Sequence, residues 1–131
     1  MITVHTKHVS PSDPSLPPLA IQVIELVGSY MVWIGEADGA AKEVWKASLQ
    51  GNLCKDWACA MPSRDTHSPA LATSFFRSAS SDVAFSMAQR MAKRFDKQIF
   101  LSVDVAVSLD GGAKVLLEAE KGAVEMISSL G

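Results

Sequence analysis

Between Val83 and Val105 the spacing of apolar residues changes abruptly. Val83, Met87, Met91 and Phe95 recur every four residues; Ile99, Leu101, Val103 and Val105 then recur every two. The first spacing lines one face of an α-helix and the second one face of a β-strand. Only Asp96-Lys97-Gln98 lie between them. A helix must therefore run straight into a strand through a short turn and pack back on the sheet that holds the strand. This predicts a helix over Ser81–Phe95 and a strand over Gln98–Val107. Ser80 or Ser81 is a suitable N-cap, and Arg90, Lys93 and Arg94 fall where cations favour the negative end of the helix dipole.

Several function classes are excluded by composition. The 131 residues contain 48% hydrophobic side chains, which suits one globular domain. Charges of both signs are interspersed and sum to −2, so there is no clustered basic face for a nucleic acid. The longest apolar region, Leu19–Ile34, carries Gln22 and Glu25 and breaks at Gly28-Ser29, too short and too polar for a bilayer span. The N-terminus lacks a charged-then-apolar leader pattern, so a cytosolic or nuclear location is the default expectation.

Residues 1–18 read as a flexible N-terminal segment, because four prolines crowd Ser10–Pro18; within it, Thr3–Val9 could pair as an edge strand. Residues 19–131 read as a single domain. Leu19–Val27 and Tyr30–Glu36 form a hairpin, with Gly28 first in a type II′ turn. Ala37–Asp56 reads as an insertion, either mobile or a short helix. Trp57–Met61 and Ala70–Phe76 are further strands. Asp110-Gly111-Gly112 signals a second hairpin, whose last strand, Ala113–Glu118, leads into a C-terminal helix striped by Ala119, Ala123, Met126, Ile127 and Leu130. The fold class is α+β: a mainly antiparallel sheet of about six strands with two helices on one face.

Sites for chemistry are poorly supported. No spaced glycines precede a helix, as a phosphate loop requires. Cys54 and Cys59 would need further ligands for zinc, and His5, His8 and His67 lie in a tail and a loop. Cys59 with His67 and Asp65 is the best catalytic trio on paper, yet a strand cysteine has nothing to lower its thiol pKa. The carboxylates Glu118 with Glu120, and Asp104 with Asp110, read as solvated charges. No enzyme activity, cofactor or metal is expected.

What remains is the sheet. Its strands carry apolar residues on both faces, and two helices cover one face only. The other would expose more apolar area than a monomer usually shows. The chain is therefore expected to dimerise through the uncovered face, with Tyr30, Val32, Trp33 and Ile34 at the interface.

The order of residue types also resembles the fourth proteasome assembly chaperone family of eukaryotes. The resemblance is carried by Trp33-Ile34-Gly35 at a strand end, by Ala58-Cys59-Ala60-Met61 followed by Ser63-Arg64, by Ala72-Thr73-Ser74-Phe75-Phe76, and most specifically by Met87–Arg94 with Lys97–Ser102. It implies a non-catalytic chaperone that heterodimerises with a third-chaperone-like subunit. The pair would bind proteasome α subunits, chiefly the fifth, to promote assembly of the 20S α ring, with no nucleic acid and no membrane involved. Self-pairing of the isolated chain is left open. The cations Arg64, Arg90, Lys93, Arg94 and Lys97, outside the expected core and within or beside the best-matched residues, are the expected partner-binding set. Two alternatives stand beside this one: a roadblock- or longin-like dimerising scaffold, and a small ligand-binding protein with a pocket lined by Trp33, Trp45 and Trp57.

Overall fold

A computed structural model of the chain describes residues 2–10, 18–36, 56–63, 67–68, 70–76, 83–105 and 112–130. Six strands and two helices are present among them: β1 (Thr3–Val9), β2 (Leu19–Leu26), β3 (Ser29–Glu36), β4 (Trp57–Met61), β5 (Leu71–Phe76), α1 (Val83–Phe95), β6 (Gln98–Asp104) and α2 (Gly112–Leu130). The strands form one sheet in the order β1-β2-β3-β6-β4-β5. All neighbours are antiparallel except β3 and β6. The parallel pair arises from chain order. The strand entered from α1 does not continue outward from β5 but inserts between β3 and β4.

The helix-to-strand switch is where its spacing placed it. Asp96, between α1 and β6, has φ of 53°. This left-handed conformation closes many helices, and Asp tolerates it better than most residues. Ile99, Leu101 and Val103 are buried together with Ala84, Met87, Ala88, Met91 and Ala92 of α1. β6 thus turns its alternating face under the helix that precedes it.

α1 packs over β4, β5 and β6, and α2 over β1 and β2, on the same side of the sheet. Across the seam between the helices, Arg90 Nε donates a hydrogen bond of 2.6 Å to Glu120 Oε1. At Gly122, α2 lies close against the sheet; a Cβ there would sit 2.7 Å from Ile21 Cδ1 and 3.1 Å from Val9 Cγ2. Its cost to helix propensity is offset by this close contact.

Three expectations are corrected. The strand expected at Ala113–Glu118 is helical, because α2 begins at Gly112. Val115 (5% exposed) lies four residues before the fully buried Ala119, so the apolar stripe simply extends back by a turn. Ala, Lys, Leu and Glu in this stretch are also strong helix formers. The sixth strand is instead β1, which pairs with β2 from Thr3↔Glu25 to Val9↔Leu19. Of residues 1–18, then, 3–9 are strand, and His5 Nε2 lies 3.1 Å from Glu25 Oε2. Finally, the β2–β3 connection is Val27-Gly28, since Leu26 pairs with Ser29. Gly28 has φ of 74° in the second loop position. That arrangement belongs to a type II turn and spares β-branched Val27 a positive φ. The residues of the expected insertion before Asp56 lie outside those described. Asp56 itself is buried, and its carbonyl accepts from Val103 N at 2.8 Å.

Candidate functional site

The face of the sheet opposite the helices is the candidate site, and strand register decides its membership. Residues opposite one another in adjacent strands share a face. β2 contributes Ala20, Gln22, Ile24 and Leu26; β3 contributes Ser29, Met31, Trp33 and Gly35; β6 contributes Gln98, Phe100, Ser102 and Asp104. β1 adds Val4, Thr6 and His8, β4 adds Trp57, Cys59 and Met61, and β5 adds Leu71, Thr73 and Phe75.

This face is apolar over most of its width. Leu71, Met61, Val4 and Phe75 are 72%, 52%, 52% and 49% exposed, although each belongs to a paired strand. Ile24, Leu26, Met31, Trp57 and Phe100 are half-buried. The aromatic groups cluster on the β4–β5–β6 side. Phe75 meets Trp57 edge to face at a centroid distance of 5.1 Å and stacks against Phe100 at 6.5 Å. Cys59 lies in the same region, where Gln98 Nε2 donates to its Sγ at 3.2 Å. The described residues contain no group of three metal-binding side chains.

Trp33 sits at the middle of the face and yet is only 6% exposed. Its indole lies flat over Gly35, two residues along the same strand. A Cβ at Gly35 would overlap ring atoms Cζ2 and Cη2 and stand 3.1 Å from Cε2. Glycine is thus the residue that allows the ring to fold down, which explains the Trp33-Ile34-Gly35 step physically. Trp57 occupies the corresponding position two strands away, with Ser102 of β6 between the two tryptophans and fully buried. Between the two tryptophans the face is thus occupied by a small, buried side chain. Trp45, the third wall of the expected pocket, lies outside the described residues.

The four residues expected at the dimer interface divide between the two faces. Tyr30, Val32 and Ile34 pair with Ile99, Leu101 and Val103 and belong to the core under the helices. Only Trp33 belongs to the open face. Alternation forces this split, because neighbouring residues of a strand cannot share a side. Sequence reasoning missed Trp57, Met61, Leu71, Phe75 and Phe100. Strict alternation within β4, β5 and β6 would have found them as the complement of the core set.

The expected partner-binding cations come together at the end of the molecule where α1 finishes and β6 begins. Arg90 is tied to Glu120. Lys93 and Arg94 are exposed. The Arg94 guanidinium lies 6.0 Å from the Phe95 ring centroid, and Lys97 Nζ lies 5.6 Å from that of Tyr30. The Val27-Gly28 loop flanks them, since Ser29 is the register partner of Gln98. Arg64 lies outside the described residues.

The sequence model of the family described as proteasome assembly chaperone 4 matches residues 18–105. The chain belongs to that family. The matched span runs from the start of β2 to just beyond β6, so it contains most of the open face, whereas β1 and α2 lie outside it. Among solved structures, the chain resembles one described as "Crystal Structure of a Novel Chaperone Complex for Yeast 20S Proteasome Assembly". Identity is 12%, the match covers 99% of this chain and 98% of the other, and the TM-score is 0.65. At that identity the likeness concerns the fold, and it extends to β1 and α2. Comparison with curated proteins gives no match.

Proposed function

We propose that this member of the proteasome assembly chaperone 4 family is a non-catalytic subunit that pairs with a related, third-chaperone-like protein through its open sheet face. The pair binds α subunits, chiefly the fifth, while the 20S α ring forms in the cytoplasm and nucleus. The observation that carries the reading is the open face itself. It combines exposed Val4, Met61, Leu71 and Phe75 with a folded-down Trp33 and the Trp57–Phe75–Phe100 cluster. Such a surface is costly to leave in water and is low enough to receive a second sheet. Aromatic side chains also supply most of the anchoring energy in protein interfaces.

The cationic end is assigned to the α subunit. Lys93, Arg94 and Lys97 lie beyond the core, where rim charges set association rate and salt dependence more than fold. Arg90 is the weakest candidate of the set, because its charge is already partnered by Glu120. Co-expression with the third-chaperone-like subunit, followed by affinity capture on the fifth α subunit, tests the reading. The expected result is a ternary complex that the single chain forms poorly. Capture of the α subunit by this chain alone, unaffected by Phe75→Asp, would overturn the role of the face.

A further inference from the structure

Among the described strands, the two outer edges of the sheet differ in chemistry. β1, at one edge, reads Thr-Val-His-Thr-Lys-His-Val. Antiparallel pairing of two such strands about Thr6 would set His5 of each against Lys7 of the other, opposing cationic groups whenever the histidine is protonated. Edge charges, lysine in particular, are a recurrent guard against strand addition. β5, at the other edge, reads Leu-Ala-Thr-Ser-Phe-Phe, with no charge, no proline and no glycine. Thr73 is exposed, as are Leu71 and Phe75.

We infer that the β5 edge accepts the β5 strand of a second copy of this chain, antiparallel and about a twofold axis through Thr73. Alternation limits the register to pairings centred on a residue, and side-chain matching selects among these. With the two sheets continuous and their open faces on the same side, opposed residues must belong to the same face. The arrangement centred on Thr73 meets this condition. It sets Thr73 against Thr73, and Leu71 of each copy against Phe75 of the other, on the open face. On the helix face it sets Ala72 against Ser74. A Thr–Thr pair and two aliphatic–aromatic pairs are favourable cross-strand combinations, and no charge is opposed anywhere. Leu71 and Phe75 are among the most exposed large apolar side chains described, so the contact also shields groups that the monomer leaves wet. The edge is short, so the association is concentration-dependent. It uses the backbone rim rather than the breadth of the open face, and one chain can therefore hold a copy at β5 and a different partner on the face.

Cross-linking of the full chain provides the test. In a background where Cys54 and Cys59 are changed to Ser, Thr73→Cys places two thiols on the axis. Directly opposed antiparallel residues have Cα atoms about 4.5–5.5 Å apart, within disulfide range. The expected result is a disulfide-linked dimer on mild oxidation, with Thr6→Cys on the guarded β1 edge remaining monomeric. In the wild-type chain, sedimentation should shift toward dimer as concentration rises; Thr73→Lys should abolish the shift and Thr73→Val should retain it. Hydrogen exchange of the wild type gives a readout that needs no variant, with β5 amides slowing as concentration rises. Unlinked Thr73→Cys chains, or a dimer that Thr73→Lys leaves intact, would overturn the assignment.

Discussion

Gly35→Ala is the substitution whose effect the geometry defines most sharply. The backbone at Gly35 does not have the positive φ that would favour glycine. On backbone grounds alanine should stabilise by roughly 0.4–1 kcal/mol, through the unfolded chain. The obstacle is the Trp33 indole, whose Cζ2 and Cη2 occupy the space of the new methyl group. Two responses are open to the ring. It can tilt within its site, at the ~1–3 kcal/mol typical of overpacking. It can also swing off the sheet and lose its burial, which at ~150–250 Å² and ~25 cal/mol/Å² costs up to about 4–6 kcal/mol. The tilt costs less, so after the backbone gain a net destabilisation of about 1–1.5 kcal/mol is expected, or a fall in Tm of roughly 4–6 °C for a domain of this size. Thermal and denaturant melts of Gly35→Ala, Trp33→Leu and the double variant measure it. If ring contact is the cause, Gly35→Ala should be neutral or slightly stabilising in the Trp33→Leu background. The cycle then shows a coupling of about 2 kcal/mol. Equal destabilisation in both backgrounds would refute the explanation. A raised indole would also spoil the low surface, so Gly35→Ala should weaken partner binding beyond its effect on stability.

Burial and pairing set the remaining outcomes. Phe75→Ser, at a half-exposed site on the open face, should change the stability of the isolated chain by no more than about 1–2 kcal/mol while strongly weakening capture of the third-chaperone-like subunit; denaturation and pull-down separate the two effects. Leu101→Ala, at a position of 0% exposure, should destabilise by ~2–5 kcal/mol in urea melts. Arg90→Ala should cost at most about 1 kcal/mol, because the Arg90 side chain is 58% exposed and its pair with Glu120 is screened by solvent. Charge reversal at Arg94 should slow association with the fifth α subunit more than Arg90→Ala does, and raising salt should erase the difference, as measured by stopped-flow binding. Gly122→Ala should be within about 1 kcal/mol of neutral in thermal melts, since the gain in helix propensity is set against a small displacement of Ile21 Cδ1.

The sheet-and-helix architecture was legible because its central junction changes period within three residues. Val83, Met87, Met91 and Phe95, then Ile99, Leu101, Val103 and Val105, all join the core under the helices. The C-terminal helix was misjudged at its start, where Asp110-Gly111-Gly112 is as good a turn signal as a hairpin provides. Turn chemistry at such a position does not distinguish a strand from a helix as the next element. The spacing from Val115 to Ala119 and Ala123 did contain that answer. β1 was harder to read, since its alternation is half polar and its support is tertiary. Lys7 Nζ lies 3.4 Å from Glu125 Oε2, a partner 118 residues away. Composition pointed to an uncovered face, but placing Tyr30, Val32 and Ile34 on the helix side and Trp33 on the open side needed knowledge of which face the helices take. Register against β6 supplies that knowledge. The role of Gly35 was also out of reach, because strand alternation does not reveal that a ring is lying on a backbone.

The insertion of β6 between β3 and β4 sets the order in which the sheet can be completed. β2 with β3, and β4 with β5, are local antiparallel pairs that can form as soon as their residues are present. Neither is joined to the other until the chain has been made as far as Asp104, because β6 is the strand that bonds to both. During synthesis the inner edges of β3 and β4 stay unpaired until β6 has been made. Closing that gap requires contacts remote in sequence, the kind that slow folding. In the interval, Val32 and Ile34 on one hairpin and Ala58 and Ala60 on the other await the strand that will lie between them. A protein that shepherds the assembly of others thus has, in its own central strand, a late-arriving part on which the joining of its two halves depends.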